Sequence, residues 1–236
     1  MRPVSSSVLL AAGLVAAGLA VAAGCAPAPP LYASEAAPVT VDGDAGEWPR
    51  ALRPVPREGG LTLGLRNTDD ALYLVVVAGD GRQARRVSSG GLRVWIDPAG
   101  GTERVLGVGY PLPLPPNVAR GGSVERRRFA ERLDRVTVRR GDGPVQTFQL
   151  GRLDGLDAAA EWTDRALVVE MRVPLDGSSD LLGAVEGGAV GVGVELVDPS
   201  GVRAQARRGV SQRGGAEGEP AEVPTVTRWL RADLAR

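Results

Sequence analysis

The side chains of this sequence that can carry out chemistry are carboxylates, arginines and hydroxyls, because the chain has no histidine, no lysine and a single cysteine, Cys25. General-base histidine, histidine-ligated metal or haem, and Schiff-base lysine are therefore excluded. Glu170 and Glu195 are the acids that could form a catalytic pair. Hydrolysis by such a pair depends on the separation of the two carboxyl groups and on different pKa values. The alternative is that both acids are solvated on outward positions of a sheet.

A second group of acids lies in the loop VDGDAGEW at 41–48. Asp42, Asp44 and Glu47 supply the oxygen ligands that calcium prefers, although an ion would need more ligands than this loop offers. Turn formation explains the same residues without a metal, since Asp can bond its own backbone and Gly can take a positive φ. Calcium is the one cofactor that the sequence suggests, and a simple turn is the alternative.

Trp48, at the end of this loop, is the residue around which the core is expected to form. A short apolar strand containing Val39 and Val41 leads into the loop. Because an indole is large and mostly apolar, we expect Trp48 to plug one end of a β core. Trp229, beside apolar residues near the end of the chain, is assigned to the core for the same reason.

Alternating hydrophobicity predicts which strands carry polar residues outward. The pattern is clearest in the runs 92–97, 166–173 and 190–198. Trp95 falls on the polar side of the first run and is therefore predicted to be exposed. The polar-side residues of the three runs are Arg93, Trp95 and Asp97, then Glu170 and Arg172, then Glu195.

Other segments complete an all-β pattern with one helix. The run 71–78 is apolar on both faces, which predicts a central strand. Ser123 can cap a helix that continues to Val136, since Phe129 and Leu133 fall near helical spacing. The remaining strands are predicted at 61–65, 105–110, 145–150, 156–162 and 223–230.

Three motifs, in order, resemble carbohydrate-binding module family 9 and the wider group of DOMON-like sandwiches. They are the entry strand with Val41-Asp42-Gly43 and Glu47-Trp48, the acidic turn and apolar strand from Asn67 to Asp80, and the late strand from Val169 to Leu175. The resemblance spans about Val39 to Leu230. It implies an all-β, antiparallel β-sandwich, an immunoglobulin-like or jelly-roll-like two-sheet domain, with one short helix.

The resemblance also implies sugar binding by aromatic rings and polar side chains, without catalysis. Trp95, flanked by Arg93 and Asp97, is the first candidate, and Trp162 at a hairpin end is the second. Glu170, Arg172 and Glu195 could line the same face. The alternative is a set of cross-strand Arg and Glu pairs with Trp95 lying over their stems. The competing class of function is a structural or assembly protein whose sheet face binds another envelope protein.

The N-terminus predicts a bacterial lipoprotein. Residues 1–24 form a signal peptide, with an apolar run that ends in a small-residue site directly before Cys25, which would be lipidated. Residues 25–38 are a lipidated cysteine with a Pro and Ala-rich tether, and residues 39–236 are the sandwich. The expected location is the cell envelope, facing the periplasm or the exterior. An ordinary secretory signal or an uncleaved anchor helix are the alternatives.

Overall charge argues against nucleic-acid binding. Basic and acidic residues balance at 28 each, so the chain presents no general positive field to a polyanion. Hydrophobic residues make up 43% of the chain, enough for a sizeable core.

Overall fold

The structure is a computed structural model, and it shows an all-β sandwich of two sheets. Short strands near the N-terminus pair with both sheets, and the helix at residues 81–90 packs against strands of both sheets. The described residues are 31–33, 35–36, 38–48, 52–113, 127–163, 166–177, 179–185, 187–196 and 227–235. Among them, no helix is both long enough and apolar enough to cross a bilayer. The predicted signal peptide and Cys25 lie outside this set.

Sheet A has seven strands in the order β1, β13, β12, β6, β7, β8, β9. Its pairings are antiparallel except for β1, which runs parallel to β13. The bounds are β1 (Leu31–Ala33), β6 (Leu92–Asp97), β7 (Leu106–Gly109), β8 (Arg135–Arg140), β9 (Gln146–Gln149), β12 (Ala189–Leu196) and β13 (Thr227–Asp233).

Sheet B has six strands, five of them in the order β10, β11, β5, β4, β2, with β3 also paired to β4. Strand β5 lies at its centre, as its apolar pattern predicts. The bounds are β2 (Glu35–Ala36), β3 (Arg53–Pro54), β4 (Leu61–Asn67), β5 (Ala71–Ala78), β10 (Asp157–Trp162) and β11 (Leu167–Pro174).

The main core lies between the two sheets. Leu92, Val94 and Ile96 of β6 face Leu72 and Leu74 of β5 across it, and all are fully buried. A second, smaller apolar cluster lies on the opposite side of sheet B and is built around Trp48. Full burial of a valine, leucine or isoleucine side chain stabilises the fold by about 1.5–3 kcal/mol. Strand β5 is apolar on both faces because one face meets the core and the other meets the Trp48 cluster.

The tether was predicted to extend to residue 38, and this boundary is wrong. Leu31–Ala33 pairs with β13 of sheet A, and Glu35–Ala36 pairs with β4 of sheet B. The sandwich therefore includes residues before Val39. A small-residue composition did not prevent pairing, because each of these short strands adds to the edge of an existing sheet.

The helix predicted from Ser123 to Val136 is wrong over its second half. Residues 127–130 are helical, residues 131–134 form turns, and Val136 lies in β8. Val136 and Val138 alternate with polar residues, and both are buried in the core. The spacing of Phe129, Leu133 and Val136 is compatible with a helix. A strand forms at Val136 instead because it buries Val138 on the same side. Residues 123–126 lie outside the described residues.

One helix, α1 (Gly81–Gly90), was not predicted. Asp80 caps it by accepting from the backbone N–H groups of Arg82 and Gln83. Only Ala84 and Val87 mark its apolar side, and glycines occupy both ends, so the usual periodicity is weak. The cap was the signal that could have identified it.

Candidate functional site

The side of sheet A that points away from the core, called here its outer face, carries most of the polar residues singled out above. In the sheet register Trp229 lies beside Gly193, Gly193 beside Trp95, Trp95 beside Gly107, and Gly107 beside Arg139. Residues beside one another in a sheet point to the same side. Two indoles and two glycines thus alternate in one row across the strands.

Glycines in this row allow the indoles to lie flat on the sheet. A Cβ at position 107 would lie 2.8 Å from Cζ3 of Trp95, and a Cβ at 193 would lie 3.1 Å from Cδ2 of Trp229. Both distances are shorter than ordinary contacts, so the absence of a side chain is needed for each ring to occupy its place. The alternation of glycine in Gly107-Val108-Gly109 and Gly191-Val192-Gly193 was the sequence signal for these rings.

Trp95 was predicted to be exposed, and that prediction is wrong because the side chain is 0% exposed. Its Nε1–H donates to Oε2 of Glu195 at 2.8 Å. Three guanidinium groups lie over its ring, those of Arg104, Arg93 and Arg139, with their Cζ atoms 5.3, 5.7 and 6.0 Å from the ring centroid. The ring is therefore covered by the arginines that surround it, a cation–π arrangement.

Glu195 is also buried rather than solvated. Its carboxylate accepts from Trp95 and from the hydroxyl of Thr227 at 3.1 Å. It also pairs with Arg93 at 3.2 Å and Arg104 at 3.4 Å. Arg93 is directly opposite Glu195 in the register. Arg93 and Glu195 form a cross-strand pair as in the alternative prediction, but the arginines lie over Trp95 and Trp95 does not lie over their stems.

Asp97 has a structural task on the same strand. It is 2% exposed, and its carboxylate accepts from the N–H groups of Ala99 at 3.0 Å and Glu103 at 2.8 Å. These bonds fix the loop that carries Arg104 over Trp95. The prediction that Asp97 contacts a ligand directly is inconsistent with this burial.

Trp229 also differs from its expected position. Trp229 was assigned to the core, but it is half-buried and lies on the outer face of sheet A, above Gly193. Its neighbour two residues before, Thr227, accepts from Arg104 at 3.0 Å. Trp229 is therefore the indole of this face that has surface left for a ligand.

Glu170 and Arg172 lie on sheet B, on the side of β11 that faces away from the main core. The Glu170 carboxylate accepts from Nε1 of Trp48 at 2.6 Å and from the backbone N–H groups of Gly43 and Asp42 at 2.7 and 3.0 Å. Burial raises the pKa of Glu170, and these three bonds oppose the rise. The prediction that Glu170 is an exposed ligand contact is wrong. Trp48 is fully buried as predicted, but it lies in the smaller cluster on the outer side of sheet B and does not plug an end of the main core.

Arg172 contacts Asp70 at 2.7 Å and lies over the ring of Tyr73, 5.9 Å from its centroid. The pKa of Asp70 is lowered, mainly by a hydrogen bond from Thr68 and to a smaller extent by the positive charge of Arg172. Glu170 and Arg172 are thus separated from Glu195 by the full thickness of the sandwich. The two glutamates cannot act as a catalytic pair.

Trp162 is half-buried at the end of edge strand β10 in sheet B. Its ring meets Phe129 edge to face, with centroids 5.9 Å apart. It does not belong to the row of indoles on sheet A. The candidates that the structure brings together are Arg93, Trp95, Asp97 and Glu195.

The acids proposed for calcium each bond a backbone N–H group of their own loop. Asp42 accepts from Asp44, Asp44 accepts from Gly46, and Glu47 accepts from Thr40. In the described part of the chain no three acidic, cysteine or histidine side chains converge as metal ligands would. The donor geometry of this loop is that of a turn.

A groove of about 560 Å³ lies between the loop around Arg57 and the start of α1. Its acids serve the fold, since Glu58 pairs with Arg86 at 3.1 Å and Arg228 at 3.5 Å, while Asp80 caps α1. The outer face of sheet A, with an indole and arginines at its surface, is the better candidate site.

Comparisons with known proteins give structural similarities only. No protein family model matches the chain, and no curated protein matches its sequence. A carbohydrate-binding module of family 9 from Caldicellulosiruptor kristjanssonii, solved with cellotriose, is 10% identical, with 86% of this chain and 93% of that chain covered and a TM-score of 0.41. A family 9 module from the same organism, solved with glucose, is 13% identical, with 86% and 94% covered and a TM-score of 0.38. Family 9 is the family that the sequence motifs resemble.

Proposed function

We propose that this protein is a non-catalytic, lipid-anchored protein of the bacterial cell envelope that binds a glycan on the outer face of sheet A. The observation that carries the proposal is the half-buried indole of Trp229, held flat on Gly193. Sugar rings stack on flat aromatic surfaces of this kind through their apolar faces. The cellotriose and glucose in the structures of family 9 modules are ligands of the same chemical class.

Polar groups next to Trp229 can orient a sugar. Thr227 precedes it by two residues on the same face, and the Arg104 guanidinium lies 3.0 Å from the Thr227 hydroxyl. The Arg104 side chain is 34% exposed, so it is within reach of a ligand on the surface. Arginine N–H groups donate to sugar hydroxyls and ring oxygens, and the indole supplies the apolar surface.

A binding role without catalysis fits the side chains that are available. The mature domain would contain no histidine, no lysine and no free thiol. Glu170 and Glu195 are each held by an indole N–H on opposite sides of the sandwich. The paired carboxylates of a glycoside hydrolase face one another across a cleft, and this pair does not.

Lipid attachment at Cys25 would hold the domain close to a membrane. The segment from Cys25 to Leu31 spans at most about 20 Å when fully extended. The domain would then face the periplasm or the exterior from the surface of the bilayer. Ala22-Ala23-Gly24 before Cys25 supports this part of the proposal.

The glycan proposal is tested by retention of the soluble domain on immobilised polysaccharides and on a glycan array. Trp229→Ala should abolish retention, and Trp229→Phe should keep part of it because a ring remains. Trp162→Ala is the matched control, since it removes another half-buried indole from the other sheet. Thermal unfolding of each variant checks that it is folded.

Two results would count against glycan binding. Retention of Trp229→Ala at the level of the wild type would exclude Trp229 as the platform. Failure of the wild type to bind any glycan would favour the competing function, a structural or assembly protein that binds an envelope protein through this face.

The lipid anchor is tested separately with the full chain. Metabolic labelling with a fatty acid should mark the wild type and not Cys25→Ser, and only the wild type should fractionate with membranes. Equal labelling of both proteins would contradict attachment at Cys25.

A further inference from the structure

We infer that the site on the outer face of sheet A selects acidic glycans, whose carboxylate or sulfate group is bound by Arg93 and Arg104. This inference rests on the proposed function and specifies its ligand class. It is carried by the hydrogen-bonding state of Glu195 and by the positions of the two guanidinium groups.

The Glu195 carboxylate is buried and already contacts four neighbouring side chains, so a ligand has little access to it. A carboxylate offers about four acceptor positions. Glu195 already accepts hydrogen bonds from the indole N–H of Trp95 and the hydroxyl of Thr227, and it forms ion pairs with Arg93 and Arg104. Its side chain is 2% exposed. Hydroxyl groups of a neutral sugar act as donors as well as acceptors, and this buried carboxylate gives them little access.

Of the other described acids near this face, Glu103 is exposed in the loop beside Arg104, and Asp97 and Asp233 make the contacts that follow. Asp97 is buried and bonds the backbone of the loop that follows it. Asp233, at the far end of β13, lies 3.7 Å from Nε of Arg231. Beside Glu195, Arg93 and Arg104 offer a ligand N–H donors with positive charge.

Arg93 and Arg104 both pair with the carboxylate of Glu195. The side chains of Arg93 and Arg104 are 16% and 34% exposed, so each guanidinium is partly accessible to a ligand. Each lies over the Trp95 ring, which limits its movement. A planar guanidinium held in this way is suited to bind a carboxylate or sulfate group with two hydrogen bonds.

The spacing of Trp229 and Thr227, which Arg104 contacts, is about the length of one sugar residue. Thr227 and Trp229 are two residues apart on one strand, about 7 Å. Arg104 contacts Thr227. A sugar ring stacked on Trp229 can therefore place an acidic substituent beside Arg104.

The test measures binding of the folded domain to oligogalacturonate, to a sulfated dextran and to neutral dextran of similar length. The wild type should bind at least one acidic polymer about tenfold more tightly than neutral dextran, the ratio expected for one charge-assisted hydrogen-bonded pair. Added salt should weaken binding of the acidic polymers more than binding of dextran. The two acidic polymers distinguish a carboxylate from a sulfate.

Arg104→Gln should remove most of this preference. Arg128→Gln is the matched control, because it removes the same charge from an exposed residue of the segment 127–130. Thermal unfolding confirms that both variants are folded. Equal loss in the two variants would mean attraction to overall charge, and the inference would fail.

The outcome also separates this inference from the proposed function. Equal binding of neutral and acidic polymers, with loss in Trp229→Ala, would leave glycan binding intact and overturn the acidic selectivity. Binding of no polymer by the wild type would overturn both.

Discussion

Trp48 donates its indole N–H to the buried carboxylate of Glu170 at 2.6 Å. The ring lies against Gly64, where a Cβ would be 2.9 Å from Cε3 of the indole, and Arg66 lies over it with Cζ 5.3 Å from the centroid. The same carboxylate also accepts a hydrogen bond from the backbone N–H of Gly43 in the turn. One acid thus fixes both the indole and the loop that leads to it.

Sheet A repeats this arrangement on the opposite side of the molecule. Trp95 donates to Glu195, lies against Gly107 and is covered by arginines. On the side away from the core, each sheet therefore has an indole bonded to a glutamate of one of its strands. Because an unpaired buried carboxylate is costly, each indole N–H contributes to stability as well as to packing.

The bond between Trp48 and Glu170 is tested by Trp48→Phe. This change removes the N–H donor and part of the ring, so the free energy of unfolding should fall by about 2–4 kcal/mol. Urea unfolding gives the value. Trp162→Phe, at a half-buried position, should cost clearly less, and equal losses in the two variants would contradict a special role for the buried bond.

Gly107→Ala tests the flat packing of Trp95. The new Cβ would lie 2.8 Å from Cζ3 of the ring, so the indole must move, with an expected loss of about 1–3 kcal/mol. Tryptophan fluorescence should shift as the ring is displaced. Gly59→Ala is the control because no atom lies within 4 Å of its Cβ position, and a loss as large there would disprove the contact as the cause.

The pH dependence of stability should carry a contribution from Glu170. Burial raises its pKa in the folded state. Between the unfolded and folded pKa values the folded protein keeps a proton that the unfolded chain has lost, so the free energy of unfolding falls as pH rises through that window.

Urea unfolding of the wild type and Glu170→Gln between about pH 3.5 and pH 7 isolates this contribution, because the window begins at the ordinary glutamate pKa of about 4.3. The stability of the wild type relative to the variant should decrease with rising pH. An increase would show that the three hydrogen bonds outweigh burial.

Arg132→Met should destabilise the junction of α1 with the segment 127–130. The buried guanidinium of Arg132 donates to the carbonyls of Arg128, Leu112 and Ser88. Methionine retains much of the apolar stem but leaves these carbonyls without a donor, so we expect a loss of about 2–4 kcal/mol. Thermal unfolding measures it. Arg128→Met, at an exposed position, should change stability by less than about 0.5 kcal/mol, and similar losses would refute the assignment.

Alternation along single strands was predictable from the sequence, and the faces of β6, β11 and β12 follow it. What alternation could not show is whether the outward face is covered. Trp95, Glu170 and Glu195 point away from the core as predicted, yet all three are buried. Their cover comes from residues distant in sequence, such as Arg104 over Trp95 and the loop at Gly43 over Glu170.

The candidate site was only partly predictable for the same reason. Arg93, Trp95 and Glu195 were identified from their own strands and do lie together. Arg104 was missed because it lies in a loop held in place by Asp97. Trp229 was assigned to the core because the sequence of β13 alone does not show which side of the strand faces the core. The glycines opposite each indole were the additional signal.

The parallel pairing of Leu31–Ala33 with β13 has a consequence for how the protein matures. The first described strand joins β13, so this part of sheet A cannot form before residues 227–233 have left the ribosome. Pairing of Leu31–Ala33 therefore waits for a strand that is about 200 residues away in sequence, and a chain truncated before Thr227 would leave β12 as an open edge prone to aggregation.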